Sequence, residues 1–283
     1  MSKYWSFMAL ATLVFGTLCF AVAPYTWFWD KPMWLPADYS EHGAEIDKLY
    51  YFILALTGVV FLITEFILFY FMWKYDATAN KEPVKYSHGS HSLEIVWTII
   101  PAATLLFIAI VQFNSWAESK MQNPMYGPDG VAGTDDDMLP TVEVTARQWE
   151  WRIRYPGADG RLGTPDDIFD VNELHVPANE NVVVSLKSAD VLHSFFIPNL
   201  RLKQDAVPGM KIPVWFKVLR EDPNQPLDFE IVCAEHCGAR HYAMKGRVIV
   251  HSAEEYASFL RRKFSEQSAT VDPQVANAAG SAQ

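Results

Sequence analysis

The sequence predicts a membrane-anchored α+β protein, with an N-terminal transmembrane helical hairpin followed by an all-β sandwich. Three observations carry this. Tyr51 to Trp73 is an apolar run whose only charge is Glu65, and Ile95 to Phe113 is a second run with no charge at all. From Thr141 onward the apolar residues recur with a period of two, the pattern of half-buried strands. Of the 283 residues 50% are hydrophobic and 14% aromatic, with ten Trp, which excludes a disordered polymer and requires a packed core.

Each apolar run is long enough to cross a hydrocarbon core of about 30 Å at ~1.5 Å per helical residue. They form the hairpin of residues 45–118, with spans at about 51–73 and 95–113. Lys74, Lys81 and Lys85 lie between the spans, whereas the outer flanks carry Glu41, Glu45, Asp47 and Glu118. Because Lys and Arg favour the inner side, the connecting loop is cytoplasmic or matrix-side and everything after Asn114 lies outside. Glu65 at that depth is either protonated or faces a partner subunit. Residues 1–23 hold another apolar stretch, Tyr4 to Ala23, ending in Ala21-Val22-Ala23 before Pro24. It reads as a secretory signal or as a further span, and either leaves the hairpin unchanged.

The β region follows in residues 140–264. Val142, Val144 and Ala146 alternate in one phase and Trp149, Trp151, Ile153 and Tyr155 in the other, which suggests a bulge near Arg147 and Gln148. Further alternating runs are Val182, Val184 and Leu186; Ile212, Val214, Phe216 and Val218; Phe229 and Ile231; Val248 and Val250. An amphipathic helix from about Ala253 to Phe264 closes the region, and residues 265–283 read as a disordered, low-complexity tail. From Asn114 there are 17 Lys and Arg against 24 Asp and Glu, so most of the net charge of −10 lies in the polar part. That balance excludes nucleic acid as a ligand and favours a basic partner.

Three Cys exclude a disulfide scaffold, and two of them stand in the segment Cys233-Ala-Glu235-His236-Cys237-Gly-Ala-Arg-His241-Tyr-Ala-Met244. Two thiols, an imidazole and a thioether within twelve residues form a soft ligand set that favours copper over hard cations. His193, in Asp190-Val-Leu-His-Ser, is a further ligand candidate forty residues upstream. A Cys233–Cys237 disulfide is one competing reading, since the region lies in an oxidising compartment. Zinc is another, but Met is a poor zinc ligand. A mononuclear blue-copper site needs one Cys only; the surplus thiolate is explained if both sulfurs bridge two copper ions. His236 and His175 are spare imidazoles.

These residues resemble subunit II of haem-copper cytochrome c oxidases. The resemblance covers about Lys48 to Leu260 and rests on Leu93-Glu94-Ile-Val-Trp97-Thr-Ile-Ile-Pro101, Gln148-Trp149-Glu-Trp151, Asp190-Val-Leu-His193-Ser, Leu202-Lys-Gln-Asp205-Ala-Val-Pro208-Gly209 and the complete C-x-E-x-C-x3-H-x2-M. It implies a cupredoxin-like sandwich holding a dinuclear copper centre, CuA, bridged by Cys233 and Cys237. His193 with Met244 would complete one ion, and His241 with the Glu235 carbonyl the other. It further implies a magnesium ion shared with subunit I on the Glu235 side chain, Trp149 as the point where an electron enters from cytochrome c, and Glu94 as the inner mouth of a proton path into subunit I. The chain would then sit in an energy-transducing membrane, that of a bacterial cell, with the copper domain on the periplasmic side. Its partners would be subunit I, further oxidase subunits and a cytochrome c that is soluble, membrane-bound or fused to a partner. A CuA subunit of a nitric oxide or nitrous oxide reductase is the alternative; the hairpin with Glu94 to Pro101 argues against it. His236 departs from the family's usual apolar residue, and Glu65 is not a family feature.

One internal repeat is independent of the resemblance. Gly127 to Asp137 and Gly157 to Asp167 share G-x-D-G-x-x-G-T-x-D-D, agreeing at seven of eleven positions. Asp129, Asp136 and Asp137, and likewise Asp159, Asp166 and Asp167, form either calcium-binding loops or acidic solvated turns.

Overall fold

The structure is a computed structural model that describes residues 2–22, 34–76, 83, 86–121, 124–127, 129–131, 134, 135, 137–222 and 226–280, with side chains from 4 to 268. Ala23 and Pro24, Lys81 and Lys85 of the inter-span loop, and Asp136 of the first acidic loop fall outside the described residues. The chain divides into two units, residues 1–36 with 45–114, and residues 37–44 with 115–283.

The first unit is helical. α1 (Ser2–Val22), α2 (Gly43–Lys74) and α3 (His91–Lys120) are each long and apolar enough to cross a membrane. Their surfaces demand an apolar surrounding: Phe66, Leu105 and Ile110 are 60%, 66% and 67% exposed, which water would penalise along the whole length of both helices. Polar groups inside the spans are satisfied locally. Thr57 Oγ1 donates to the Ile53 carbonyl (2.8 Å), Thr98 Oγ1 to that of Glu94 (2.8 Å) and Thr104 Oγ1 to that of Ile100 (2.9 Å). Glu65 is half-buried on α2.

The second unit is a sandwich of ten strands: β1 (Val142–Arg147), β2 (Glu150–Tyr155), β3 (Ile168–Val171), β4 (Glu173–Pro177), β5 (Asn181–Ser188), β6 (His193–Ile197), β7 (Leu202–Ala206), β8 (Ile212–Lys217), β9 (Leu227–Cys233) and β10 (Lys245–His251). One sheet has the order β3-β2-β1-β5-β8 and the other β4-β10-β9-β6-β7. The pairs β1/β5 and β4/β10 are parallel and the remaining neighbours antiparallel. The alternating residues of the sequence point inward: Val142, Val144, Ile153, Val184, Leu186, Ile231 and Val248 are all buried. Trp151 lies fully buried with its ring edge-on to Phe195, centroids 5.3 Å apart. Residues 37–44 strap onto this unit, where Tyr39 N–H donates to the Asn199 carbonyl (3.0 Å), Leu219 N–H to that of Tyr39 (2.7 Å), and the Tyr39 ring meets Phe229.

Two expectations need correction. The change of phase after Ala146 is a chain reversal rather than a bulge. Arg147 pairs with Glu150 across a two-residue turn of Gln148 and Trp149, so Trp149 sits in the turn, half-buried, and only Trp151 enters the core. A reversal and a bulge both shift the inward parity, which is why the pattern alone does not separate them. The C-terminal helix α4 (Ala253–Gly280) continues past Phe264, through residues read as a disordered tail. Glu266, Gln267 and Ala269 are good helix formers that extend the helix beyond Phe264, while Pro273, in the interior of the same segment, is not.

α4 begins with a reciprocal cap, Ser252 N–H donating to Glu255 and Glu255 N–H to Ser252 Oγ, and it seals the sandwich with buried Phe259. Beneath Phe259 lies a histidine pair. His175 Nδ1 and His251 Nε2 share a proton at 2.7 Å, and the Phe259 ring stacks on His175 at 3.9 Å. Burial and then the charge of His251 hold the His175 imidazole at about 4 rather than 6.5, and burial lowers His251 as well. Asp170, Glu173, Glu255, Arg220, Arg262 and Lys263 supply the charges around the pair. The unfolded chain binds protons here at a pH where the folded one does not, so the stability gained is complete above about pH 6.5 and lost as pH falls towards 4. The melting temperature of the β unit should therefore drop across that window, and His175→Phe, which keeps the stack on Phe259, should flatten the drop in a pH series of thermal melts.

Candidate metal centre

The soft side chains come from two adjoining strands and one loop. His193 opens β6 and is completely buried. Since Phe195 on β6 pairs with Cys233 at the end of β9, His193 lies beside the loop that leaves β9. That loop, residues 234–244, is closed at its mouth by the Cys233 N–H donating to the Met244 carbonyl (3.2 Å) and tied to β6 by the Ala234 N–H donating to the Ser194 carbonyl (3.0 Å). Inside it the chain makes a 3₁₀ turn, His241–Ala243, with His241 N–H donating to Gly238 and Met244 N–H to His241. Eleven residues with few regular bonds are thus held by their ends and by one internal turn.

The donor atoms converge. Cys233 Sγ and Cys237 Sγ are 3.8 Å apart. Cys233 Sγ is 3.9 Å from His193 Nδ1 and 3.2 Å from the Glu235 carbonyl oxygen. Cys237 Sγ is 3.6 Å from His241 Nδ1 and 3.8 Å from Met244 Sδ. Each sulfur therefore has its own imidazole nitrogen and its own weaker donor. Among the described residues, His193, Cys233 and Cys237 are the one set of three His, Cys, Asp or Glu side chains whose ligand atoms all lie within 4.8 Å of one another.

This arrangement fits a soft metal. Both thiols are free, and their separation is nearly twice the ~2.05 Å of a disulfide. It is also shorter than twice a metal–thiolate bond of about 2.3 Å, so one ion can touch both sulfurs. Burial, then the neighbouring Cys233, push the Cys237 thiol up to about 12. Without a cation the buried Cys237 thiol keeps its proton, and a bound cation would displace it. Three sulfurs, two imidazoles and a single carbonyl suit copper.

A surrounding layer orients the donors. Asp190 accepts a hydrogen bond from His193 Nε2 (2.8 Å) and from the backbone N–H groups of Gln148 and Val191 (both 2.7 Å). Burial works against its carboxylate, but these donors outweigh it and its pKa is lowered. Gln148 Nε2 donates to the Cys237 carbonyl (2.9 Å). Gly238, at φ +113°, is the seat of Trp149: a Cβ there would stand 3.4 Å from Trp149 Cζ2 and 3.0 Å from Gln148 Nε2. The Trp149 indole Nε1 is buried with no hydrogen-bond partner among the described residues. Gln148 and Asp190 stand in the sequence only within longer motifs; the signal that marks Asp190 is its place three residues before the candidate His.

The other expected site residues are dispersed. Glu235 and His236 are exposed, the His236 ring standing edge-on to His241 at 5.6 Å. His175 belongs to the pair under α4. Glu94 is exposed in the first turn of α3, 3.7 Å from His91 Nδ1. In the second acidic loop, Asp159 Oδ1 accepts from the Arg161 N–H, Asp167 Oδ2 from the Gly163 N–H, and Asp166 Oδ1 from Thr164 Oγ1. Asp167 also faces Arg154 Nε at 3.5 Å. Asp129 Oδ1 accepts from the Val131 N–H, and the Asp137 N–H donates to the Thr134 carbonyl. In the second loop all three carboxylates accept donors of their own loop, and among the described residues neither loop brings three carboxylates together as a ligand set.

Comparison with known proteins gives the family. Residues 29–114 match the family described as cytochrome C oxidase subunit II, transmembrane domain, and residues 140–252 match cytochrome C oxidase subunit II, periplasmic domain. Cytochrome c oxidase subunit 2 of Cereibacter sphaeroides is 30% identical over 253 residues, covering 79% of this chain and 77% of that one. The alternative cytochrome c oxidase subunit 2 of Bradyrhizobium diazoefficiens is 36% identical over 144 residues, 43% of this chain and 50% of that one. Among solved structures, the periplasmic domain of subunit II of cytochrome oxidase (CoxB) of Bradyrhizobium japonicum is 28% identical with a TM-score of 0.38, covering 46% of this chain and 99% of that one. The two family matches follow one another in the order of the helical hairpin and the sandwich, and the relative from Cereibacter sphaeroides spans most of both: the chain belongs to the cytochrome c oxidase subunit II family.

Proposed function

We propose that this chain takes electrons one at a time from a cytochrome c, through Trp149, onto a dinuclear copper centre, and passes them to the haem-copper subunit I of an oxidase that reduces oxygen to water. The observation that carries the reading is the paired donor set: two free thiols 3.8 Å apart, each with its own imidazole Nδ1 and its own weak donor. When bound, the copper pair would supply a one-electron carrier, held by Cys233, Cys237, His193, His241, Met244 and the Glu235 carbonyl.

The protein's part is to bind, orient and exclude water. His193, Cys237 and Met244 are buried at 0%, 3% and 1% exposure, so three donors meet the metal away from solvent. His241 is half-buried and Tyr242 beside it is 80% exposed, which leaves one edge of the site near the surface for exchange with partners. Trp149 lies against Gly238, next to Cys237, so an electron arriving at the indole would be one residue from a ligand. Glu235 would serve twice, its carbonyl facing Cys233 and its exposed carboxylate directed to a magnesium ion shared with subunit I. Glu94, at the start of a membrane-spanning helix, would collect protons on the inner side for subunit I. The family match of residues 29–114 to the oxidase transmembrane domain favours an oxidase over a nitrous oxide or nitric oxide reductase. The three spans and the match to a periplasmic domain support placement in a bacterial cell membrane with the sandwich outside. In the second acidic loop the carboxylates accept hydrogen bonds from their own loop, which supports acidic solvated turns over calcium loops there.

Three outcomes check this reading. Copper-loaded chain should give an electron paramagnetic resonance spectrum of one unpaired electron shared by two coppers; Cys237→Ser should abolish it, and Met244→Leu should perturb it while keeping the metal, because a thioether is a weak ligand. A mononuclear or silent wild-type spectrum contradicts the reading. Trp149→Gln should slow oxidation of cytochrome c with copper content unchanged, and association should weaken as salt rises, because the β region is net negative. Glu94→Gln should lower turnover of the assembled oxidase without altering the copper spectrum, and normal turnover there would leave Glu94 a helix N-terminal residue only.

A further inference from the structure

Gln148 and Asp190 carry no step of the electron path proposed above, yet they join its parts. The Asp190 carboxylate accepts three hydrogen bonds: from its own loop at Val191, from the β1–β2 turn at Gln148 N–H, and from His193 Nε2. An Asp that merely capped its loop would need only the first. The Gln148 side chain turns the other way and donates to the Cys237 carbonyl. The next residue is Trp149, resting on Gly238. One two-residue turn therefore grips the histidine loop through Asp190 and the cysteine loop through Gln148, and carries the indole between them.

We propose that Asp190 and Gln148 are positioning residues of the metal centre, a bracket that locks His193, Cys237 and Trp149 into one hydrogen-bonded unit. The inference rests on the copper reading given above. An imidazole that offers Nδ1 to a metal must keep its proton on Nε2, and a carboxylate receiving that proton selects the tautomer, sets the ring plane and makes the ring a stronger donor. The negative charge of Asp190 acts through the ring to favour the more oxidised metal. Gln148 holds the one backbone carbonyl between Cys237 and the positive-φ Gly238, where the loop would otherwise be free to twist. With both contacts made, the distance from Trp149 to the ligand residues is set by two hydrogen bonds and a van der Waals contact instead of by two independently mobile loops.

The test uses the full chain in detergent, loaded with copper. Asp190→Asn keeps the size and one acceptor oxygen for the backbone amides but loses the charge; it should lower copper affinity about 10–100-fold in competition with a chelator. It should also make the hyperfine pattern of the two coppers unequal and raise the midpoint potential. Asp190→Glu, which restores the charge, should recover part of the potential, a recovery that a purely structural role of Asp190 would not produce. Gln148→Ala, with the His193 contact intact, should slow electron transfer from reduced cytochrome c about tenfold or more while the chain still binds two coppers, since the indole loses its registration on the cysteine loop. Wild-type affinity, spectrum and potential in Asp190→Asn, or wild-type transfer rates in Gln148→Ala, overturn the bracket. If the wild-type chain itself lacks the dinuclear signal, the functional reading fails and the bracket with it, so the wild-type control tells the two failures apart.

Discussion

Two sulfur atoms must stay 3.8 Å apart, close enough to share a metal and too far to bond to each other, and the rest of the β unit answers to that constraint. Cys233 is held by the last ladder position of β9, where it pairs with Phe195 of β6. Cys237 has no ladder, and its place is set by the closed mouth of its loop and by Gln148 gripping its carbonyl. Burying Cys237 and Met244 against the core removes the rotamer freedom that would let the thiols swing together. An exposed C-x3-C loop in an oxidising compartment has no such restraint, and a disulfide is its natural end.

The core beneath the site is correspondingly stiff. Trp151 presents its ring edge to Phe195 and lies 6.4 Å from the His193 ring, so the imidazole rests on a large, fully buried aromatic. Close packing of this kind resists displacement because every shift opens a void or a clash. For the proposed electron transfer this rigidity would be the useful property, since ligands that do not move on a change of charge add little to the barrier. Gly246, immediately after the loop closes, shows how tight the fit is. A Cβ there would stand 2.9 Å from the Asn172 carbonyl and 3.2 Å from Trp151 Cδ1, so only glycine lets β10 pass the core tryptophan.

How much of this was legible in the sequence follows from the range of the interactions involved. The spans and the strands were readable because their signals are local: an unbroken apolar run, or an alternation such as Val182, Val184 and Leu186 that β5 reproduces with every member buried. The soft ligands were readable because four of them fall within twelve residues. The turn at Gln148 and Trp149 was not, since parity is blind to whether a chain bulges or reverses. The histidine pair lay further out of reach. His175 and His251 meet only because β4 and β10 run parallel with His251 opposite Pro177, a register that a separation of 76 positions does not announce. Asp190 was visible as a residue, but its bond to His193 depends on where β6 begins.

The acidic loops acquire their meaning from electrostatics that act at a distance. In the second loop the Thr164 hydroxyl, set against burial, holds the Asp166 carboxyl below the usual carboxylate range, and backbone donors at Asp159 and Ala158 add to it. Arg154 is already shared between Glu143 and Asp167, so the buried acids of this sheet face are paired, while Asp166 is half-buried and anionic. The loop joins β2, which follows directly on the turn that carries Trp149, to the edge strand β3. A glycine-rich turn that spends its backbone donors on its own carboxylates keeps those charges in fixed places. A basic protein approaching the sandwich would thus meet a field whose geometry the loop's own hydrogen bonds hold in place.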